Sequence, residues 1–185
     1  MPVTPGRPPD RYEQTYMPGE GVVLYRERRR APWQLHALFA AIAGSYALLG
    51  LVQPWALVAL PALLVVWLLF AVLRVTVSEG HVNVQYGLFG PRIPITAIES
   101  AELIHYDWKG YGGWGIRRPG ERVWAYNMPG EGGQAVRIVW HDAEGQRTTV
   151  IGSPDASRLA EHIARARRAL PAAAERSALP PADDE

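Results

Sequence analysis

The sequence predicts an α+β membrane protein: a transmembrane α-helical hairpin, then seven antiparallel strands, then one closing C-terminal helix. Three observations predict it. From Ala31 to Leu73 no side chain is charged, and Pro54 stands near the middle of that run. From Arg74 onward the apolar residues recur with a period of two, the alternation of a half-buried strand. After Ser153-Pro154-Asp155 the period lengthens to that of an amphipathic helix.

Residues 1–20 are rich in Pro, Gly and polar side chains without periodicity and are expected to be a disordered tail. Residues 21–30 form a basic juxtamembrane segment. In it Gly21–Tyr25 fits an extra strand or a membrane-surface contact, and Arg26-Glu27-Arg28-Arg29-Arg30 follows. Each half of the uncharged run supplies roughly 20 residues, about what a hydrocarbon core some 30 Å thick requires. The expected spans are 31–52 and 54–73, with Val52-Gln53-Pro54-Trp55 making the turn. Some thirty residues precede the first span (roughly, against the short lead of a secretory signal), so a retained anchor is expected rather than a cleaved leader. Trp33 and Trp55 fall where aromatic belts sit, and Arg28, Arg29, Arg30 and Arg74 flank the spans at the membrane interface. The positive-inside rule then places the chain in the inner (plasma) membrane as a multi-pass protein with both termini cytoplasmic. Gln34 and His36 are expected to reach the headgroups. Ala37, Ala41 and Ser45, with Ala40 and Gly44, recur every fourth residue and offer a close seam for the second helix.

Residues 74–170 form the remaining domain. Its expected strands are 74–78, 81–86, a short one around Ile93 and Ile95, 98–106, 123–127, 135–140 and 146–151. Ser153 is a helix cap, Pro154 suits the first turn and Asp155 meets the positive dipole end. Ala156, Leu159, Ala160, Ile163 and Ala166 give the buried stripe, Pro171 is expected to end the helix, and 171–185 is expected to be disordered.

The 185-residue chain has net charge +1 and no cysteine. That excludes disulfides, a thiolate nucleophile and cysteine-held metal, and the balance of charge is not that of a nucleic-acid binder. Gly110-Tyr111-Gly112-Gly113-Trp114-Gly115 satisfies a dinucleotide fingerprint in letters only, because Ile116-Arg117-Arg118-Pro119-Gly120 cannot open the helix that would hold a pyrophosphate. The segment reads either as a structural loop with Trp114 tucked inside, or as a contact loop showing Tyr111, Trp114, Arg117 and Arg118. His105 and Asp107 share a strand face without a third ligand, and no serine lies in a nucleophile elbow. No catalytic residue, metal ligand or cofactor is expected.

The lead Tyr25-Arg26-Glu27-Arg28, the hairpin, Gly110–Arg117 and Gly152-Ser153-Pro154-Asp155 together resemble bacterial membrane proteins in which a two-helix hairpin precedes a pleckstrin-homology-like (PH-like) domain. The resemblance implies a seven-stranded antiparallel PH-like barrel plugged by the last helix. It does not carry phosphoinositide binding with it, because the first turn, Ser78-Glu79-Gly80-His81, lacks Lys and Arg. The expected function is a non-enzymatic interaction module at the inner membrane face, meeting the lipid bilayer and a membrane or cytoplasmic protein partner. Anionic-lipid sensing is the alternative, with an accessory role in a membrane enzyme or transporter behind it.

Overall fold

The computed structural model describes residues 21–107, 110, 113–128 and 133–178. The tail over 1–20 and the end of the chain from 179 lie outside the described residues. Strand β1 (Val23–Arg30) leads through helix α1 (Trp33–Gly50), a 3-10 turn (Pro54–Val58) and helix α2 (Ala59–Phe70) to β2 (Val72–Ser78). Then come β3 (His81–Tyr86), β4 (Arg92–Pro94), β5 (Ile98–His105), β6 (Gly115–Gly120), β7 (Val123–Asn127), β8 (Gln134–Asp142), β9 (Gly145–Gly152) and helix α3 (Ala156–Ala178).

All seven expected strands form, and two more join them. The first addition is β1, so the basic segment expected beside a membrane is an edge strand of a folded sheet. Its backbone pairs with β2, Arg26 opposite Thr76 and Arg28 opposite Arg74. Alternation sends Tyr25, Glu27 and Arg29 to the inner face. There Glu27 accepts hydrogen bonds from Tyr25 Oη (2.8 Å) and from Ser153 Oγ (2.7 Å). A charged residue thus ties the first strand to the entry of the last helix, which a count of arginines does not reveal.

The expected membrane spans are corrected. No helix among the described residues is long and apolar enough to cross a membrane. Helix α1 has 18 residues but spends its first turn on Trp33, Gln34 and His36 and includes Gly44, Ser45 and Tyr46. The second half of the uncharged run is divided between the 3-10 turn and a 12-residue helix, about 18 Å of rise at 1.5 Å per residue, against roughly 30 Å of hydrocarbon. Val72 and Leu73, expected in the span, already pair in the sheet as partners of Arg30 and Arg29. The multi-pass placement in the inner membrane, with its cytoplasmic termini, rested on those spans and falls with them. Within the hairpin the expected small-residue seam is not the contact: Ala37, Ala41, Gly44 and Ser45 are exposed. His36 does not reach outward either, since its Nδ1 accepts a 2.9 Å hydrogen bond from Trp67 Nε1 on the other helix.

The barrel is corrected as well. The strands form two open sheets, one ordered β1-β2-β3-β4 and one ordered β5-β8-β9-β7-β6. A meander would set each strand beside the next. Instead the β6–β7 hairpin swings past β8 and β9, and β7 pairs with β9 in parallel, Trp124 beside Thr149. That makes β6, with Pro119 and two arginines, an outer edge, a place where a missing N–H is tolerated. The two sheets face one core: Leu73, Val75, Val77, Val82 and Ile93 from the first, Val136, Ile138 and Ile151 from the second. Helix α3 closes the layer with Ala156, Leu159, Ile163 and Ala166, all buried, the stripe its periodicity predicts. Pro171 lies inside α3 rather than ending it. A proline removes one helical hydrogen bond, and the run Ala172-Ala173-Ala174 beyond it has the highest helix propensity available.

Candidate functional site

At one end of the sandwich the sheets part into a cleft of about 450 Å³. Register explains what lines it. Trp140 stands opposite Arg147 across β8 and β9, and Thr149 lies two residues further along the same face. The parallel pairing then sets Trp124 beside Thr149, and Tyr126 follows on the same side of β7. Ile116 comes from β6, opposite Tyr126. From the first sheet the turn at Phe89-Gly90-Pro91-Arg92 forms the facing lip. The cleft is therefore a product of the topology: in a meander β7 would not lie beside β9, and Trp124 would sit elsewhere.

The aromatic floor is held in place. Trp140 Nε1 donates to Thr149 Oγ1 at 3.0 Å, satisfying the indole N–H inside the fold, as a buried tryptophan requires. Burial pushes the Tyr126 hydroxyl up to about 12 from its ordinary value near 10, so the ring presents a neutral phenol at physiological pH. Two guanidinium groups lie over the indoles: Arg118 over Trp124 at 5.7 Å and Arg147 over Trp140 at 5.9 Å from the ring centroids. Both are within cation–π range. Arg147 is anchored by Asp142 and by Glu144 (2.8 Å), and Glu144 also holds Arg122 at 3.3 Å. Arg122 turns the β6–β7 connection with φ of 60°, a conformation uncommon for a residue with a Cβ.

Of the residues singled out in the sequence, Tyr111 lies outside the described residues. Trp114 is 44% exposed, so it is not tucked inside. Arg117 and Arg118 are successive on β6 and take opposite faces; only Arg118 reaches an aromatic of the cleft. What shapes the glycine-rich loop is Asn127, a residue the sequence reading passed over. Its Nδ2 donates to Tyr106 Oη and to the Gly113 carbonyl (3.2 Å), while its Oδ1 accepts from the Gly115 N–H (3.1 Å). Arg28, Arg30 and Arg74 occupy outward strand positions, Arg29 pairs inward with Glu27 at 3.8 Å, and Trp33 and Trp55 are exposed on the hairpin. Sequence reasoning missed Trp124, Tyr126, Trp140 and Arg147. The available signal was the alternation Trp124-Ala125-Tyr126, which puts two large rings on one face of a short strand.

Among the described residues no group of three or more His, Asp or Glu could hold a metal, and no nucleophile lies against a base in the cleft. What the arrangement offers is adhesion: broad aromatic faces with cations laid over them. Compared with family models, curated proteins and solved structures, the chain matches none, and with two open sheets and no helix among the described residues able to cross a membrane, the resemblance to the hairpin-plus-PH-like family is not upheld.

Proposed function

We propose that the chain is a non-enzymatic interaction module whose cleft receives an acidic, apolar-anchored segment of a partner protein. The observation that carries this reading is the pair of arginine–tryptophan stacks, Arg118 on Trp124 and Arg147 on Trp140, at the mouth of an open cleft. Tryptophan, tyrosine and arginine are the residues that dominate binding energy at protein contacts, because they bury much area with few rotamers to order. The exposed Arg118 at the rim favours an acidic partner, Arg147 being already paired with Asp142 and Glu144, and the rings beneath favour an apolar side chain beside the partner's charge. Selection of peptides from a random display library on the full chain tests it. Enrichment of acidic sequences with one aromatic or aliphatic anchor is expected, with binding lost by about tenfold in Arg118→Gln, which leaves the core untouched. Enrichment without acidic bias, or equal binding by the variant, would reject the reading.

A further inference from the structure

We infer that the groove between the two helices of the hairpin binds a single-chain amphiphile with a carboxylate head, in chemical class a free fatty acid, independently of the cleft. The groove has a volume of about 400 Å³, within the range of small-molecule sites. Phe39, Ala40 and Ala43 line it from α1, and Leu60 and Leu64 from α2. Two alanines set against leucines leave open a space that larger side chains would fill by interdigitating. From His36 to Ala43 the lining positions of α1 recur at helical spacing, roughly 10 Å of length at 1.5 Å per residue. No residue from Ala31 to Leu73 is charged, so the length of the groove suits a hydrocarbon tail.

One end of the groove is polar. His36 and Trp67 line it at the end nearer the sheet, one turn from the joint where the Ala31 N–H meets the Ala71 carbonyl. Trp67 Nε1 donates to His36 Nδ1 at 2.9 Å, the rings edge-on with centroids 5.6 Å apart. An indole N–H can only donate, so Nδ1 is the accepting nitrogen and the ring proton resides on Nε2. That Nε2–H meets no acceptor among the described residues, and the uncharged hairpin holds no carboxylate to compete for it. Arg30, exposed, ends β1 at the same end of the hairpin. A donor without an acceptor, near a cation and at one end of an otherwise apolar groove, complements an anionic head that continues into an apolar tail. A cationic head on the same tail would gain only the apolar contact.

Calorimetric titration of the full chain with decanoate, against decyltrimethylammonium as a probe with the same tail and the opposite charge, tests the assignment. Saturable one-to-one binding of decanoate is expected, tighter than that of the cation by about tenfold or more. Ala40→Phe fills the groove from an exposed position; it should weaken decanoate binding by about tenfold or more with the helical circular dichroism unchanged. His36→Leu should abolish the preference for the carboxylate while the cation still binds. Equal binding of the two probes by the parent chain would mean adsorption to exposed apolar surface only and overturns the proposal, as does unaltered decanoate binding by Ala40→Phe. Absence of decanoate binding overturns it too, and an oligomer on sedimentation would then give the groove to a second copy of the chain.

Discussion

At the scale of single residues, the informative groups are polar ones inside the fold. Glu27 sits in what reads as a basic cluster, yet its carboxylate takes hydrogen bonds from Tyr25 and Ser153 and faces Arg29. Removing it leaves two part-buried hydroxyls and a guanidinium short of a partner. Glu27→Ala is expected to destabilise by about 3 kcal/mol in chemical denaturation, where a surface role would give a value near zero. Asn127 satisfies three groups of the glycine-rich loop at once. Asn127→Ala should cost about 2 kcal/mol and raise amide exchange at Gly115 while leaving the strands of the core protected. Burial holds the Tyr126 phenol neutral up to about pH 12, against about 10 in the unfolded chain. Between those values the unfolded state releases its proton first. Stability present below pH 10 is therefore lost as pH rises toward 12, on the order of 2 kcal/mol from this group. Tyr126→Phe should flatten that part of a denaturation-versus-pH curve; an unchanged slope would show that the hydroxyl titrates normally in the fold.

Among the elements, the hairpin and the sheet meet at a narrow joint. The Ala31 N–H donates to the Ala71 carbonyl at 2.8 Å, Arg30 pairs with Val72, and Phe70 packs on Tyr86 with ring centroids 5.4 Å apart. Gly87, at φ 60°, lies so close to the Leu69 carbonyl that a Cβ there would collide with it. Gly87→Ala should therefore lower Tm markedly, by the equivalent of about 2 kcal/mol or more, whereas Gly44→Ala, with open space around it, should be neutral or stabilising. Because the two ends of the hairpin lie side by side, it is an insertion between paired strands. Replacing residues 32–70 by Asn-Gly, the dipeptide suited to a tight hairpin, should leave the two-sheet fold intact with a modest loss from the missing Phe70 contact. Circular dichroism and thermal melting decide it: loss of the strand signal would make the helices part of the folding unit.

For the whole molecule, two kinds of surface stand apart. The hairpin exposes large apolar side chains, Leu48, Leu51, Val52 and Val58 each more than two-thirds exposed, in a continuity that a chain alone in water rarely shows. The sandwich carries the tryptophan cleft. The full chain is accordingly expected to self-associate in water, and a chain lacking residues 32–70 to sediment as a monomer in analytical ultracentrifugation with the tryptophan cleft unchanged.

Local pattern was legible wherever one periodicity governed an element. The alternation of 74–78, 81–86 and 135–140 and the stripe Ala156, Leu159, Ile163, Ala166 place strands and helix correctly, because each element must bury one face against a neighbour. The uncharged run gives two helices and a return, again from composition alone. Their lengths were not legible, because the sheet captures Val72 and Leu73 through backbone pairing with β1, a strand whose arginines conceal its alternation. Nor could the sequence decide that β7 would lie parallel to β9, since nothing local specifies which strand completes an edge. That pairing brings Trp124, Thr149 and Trp140 onto one floor. The sequence by itself determined inward and outward residues where a single period was visible, in 74–78, 81–86, 135–140 and the stripe of the last helix; tertiary structure decided the facing of β1 and β6 and which inward residues meet, because strand partnership is settled by long-range packing rather than by any neighbour in the chain.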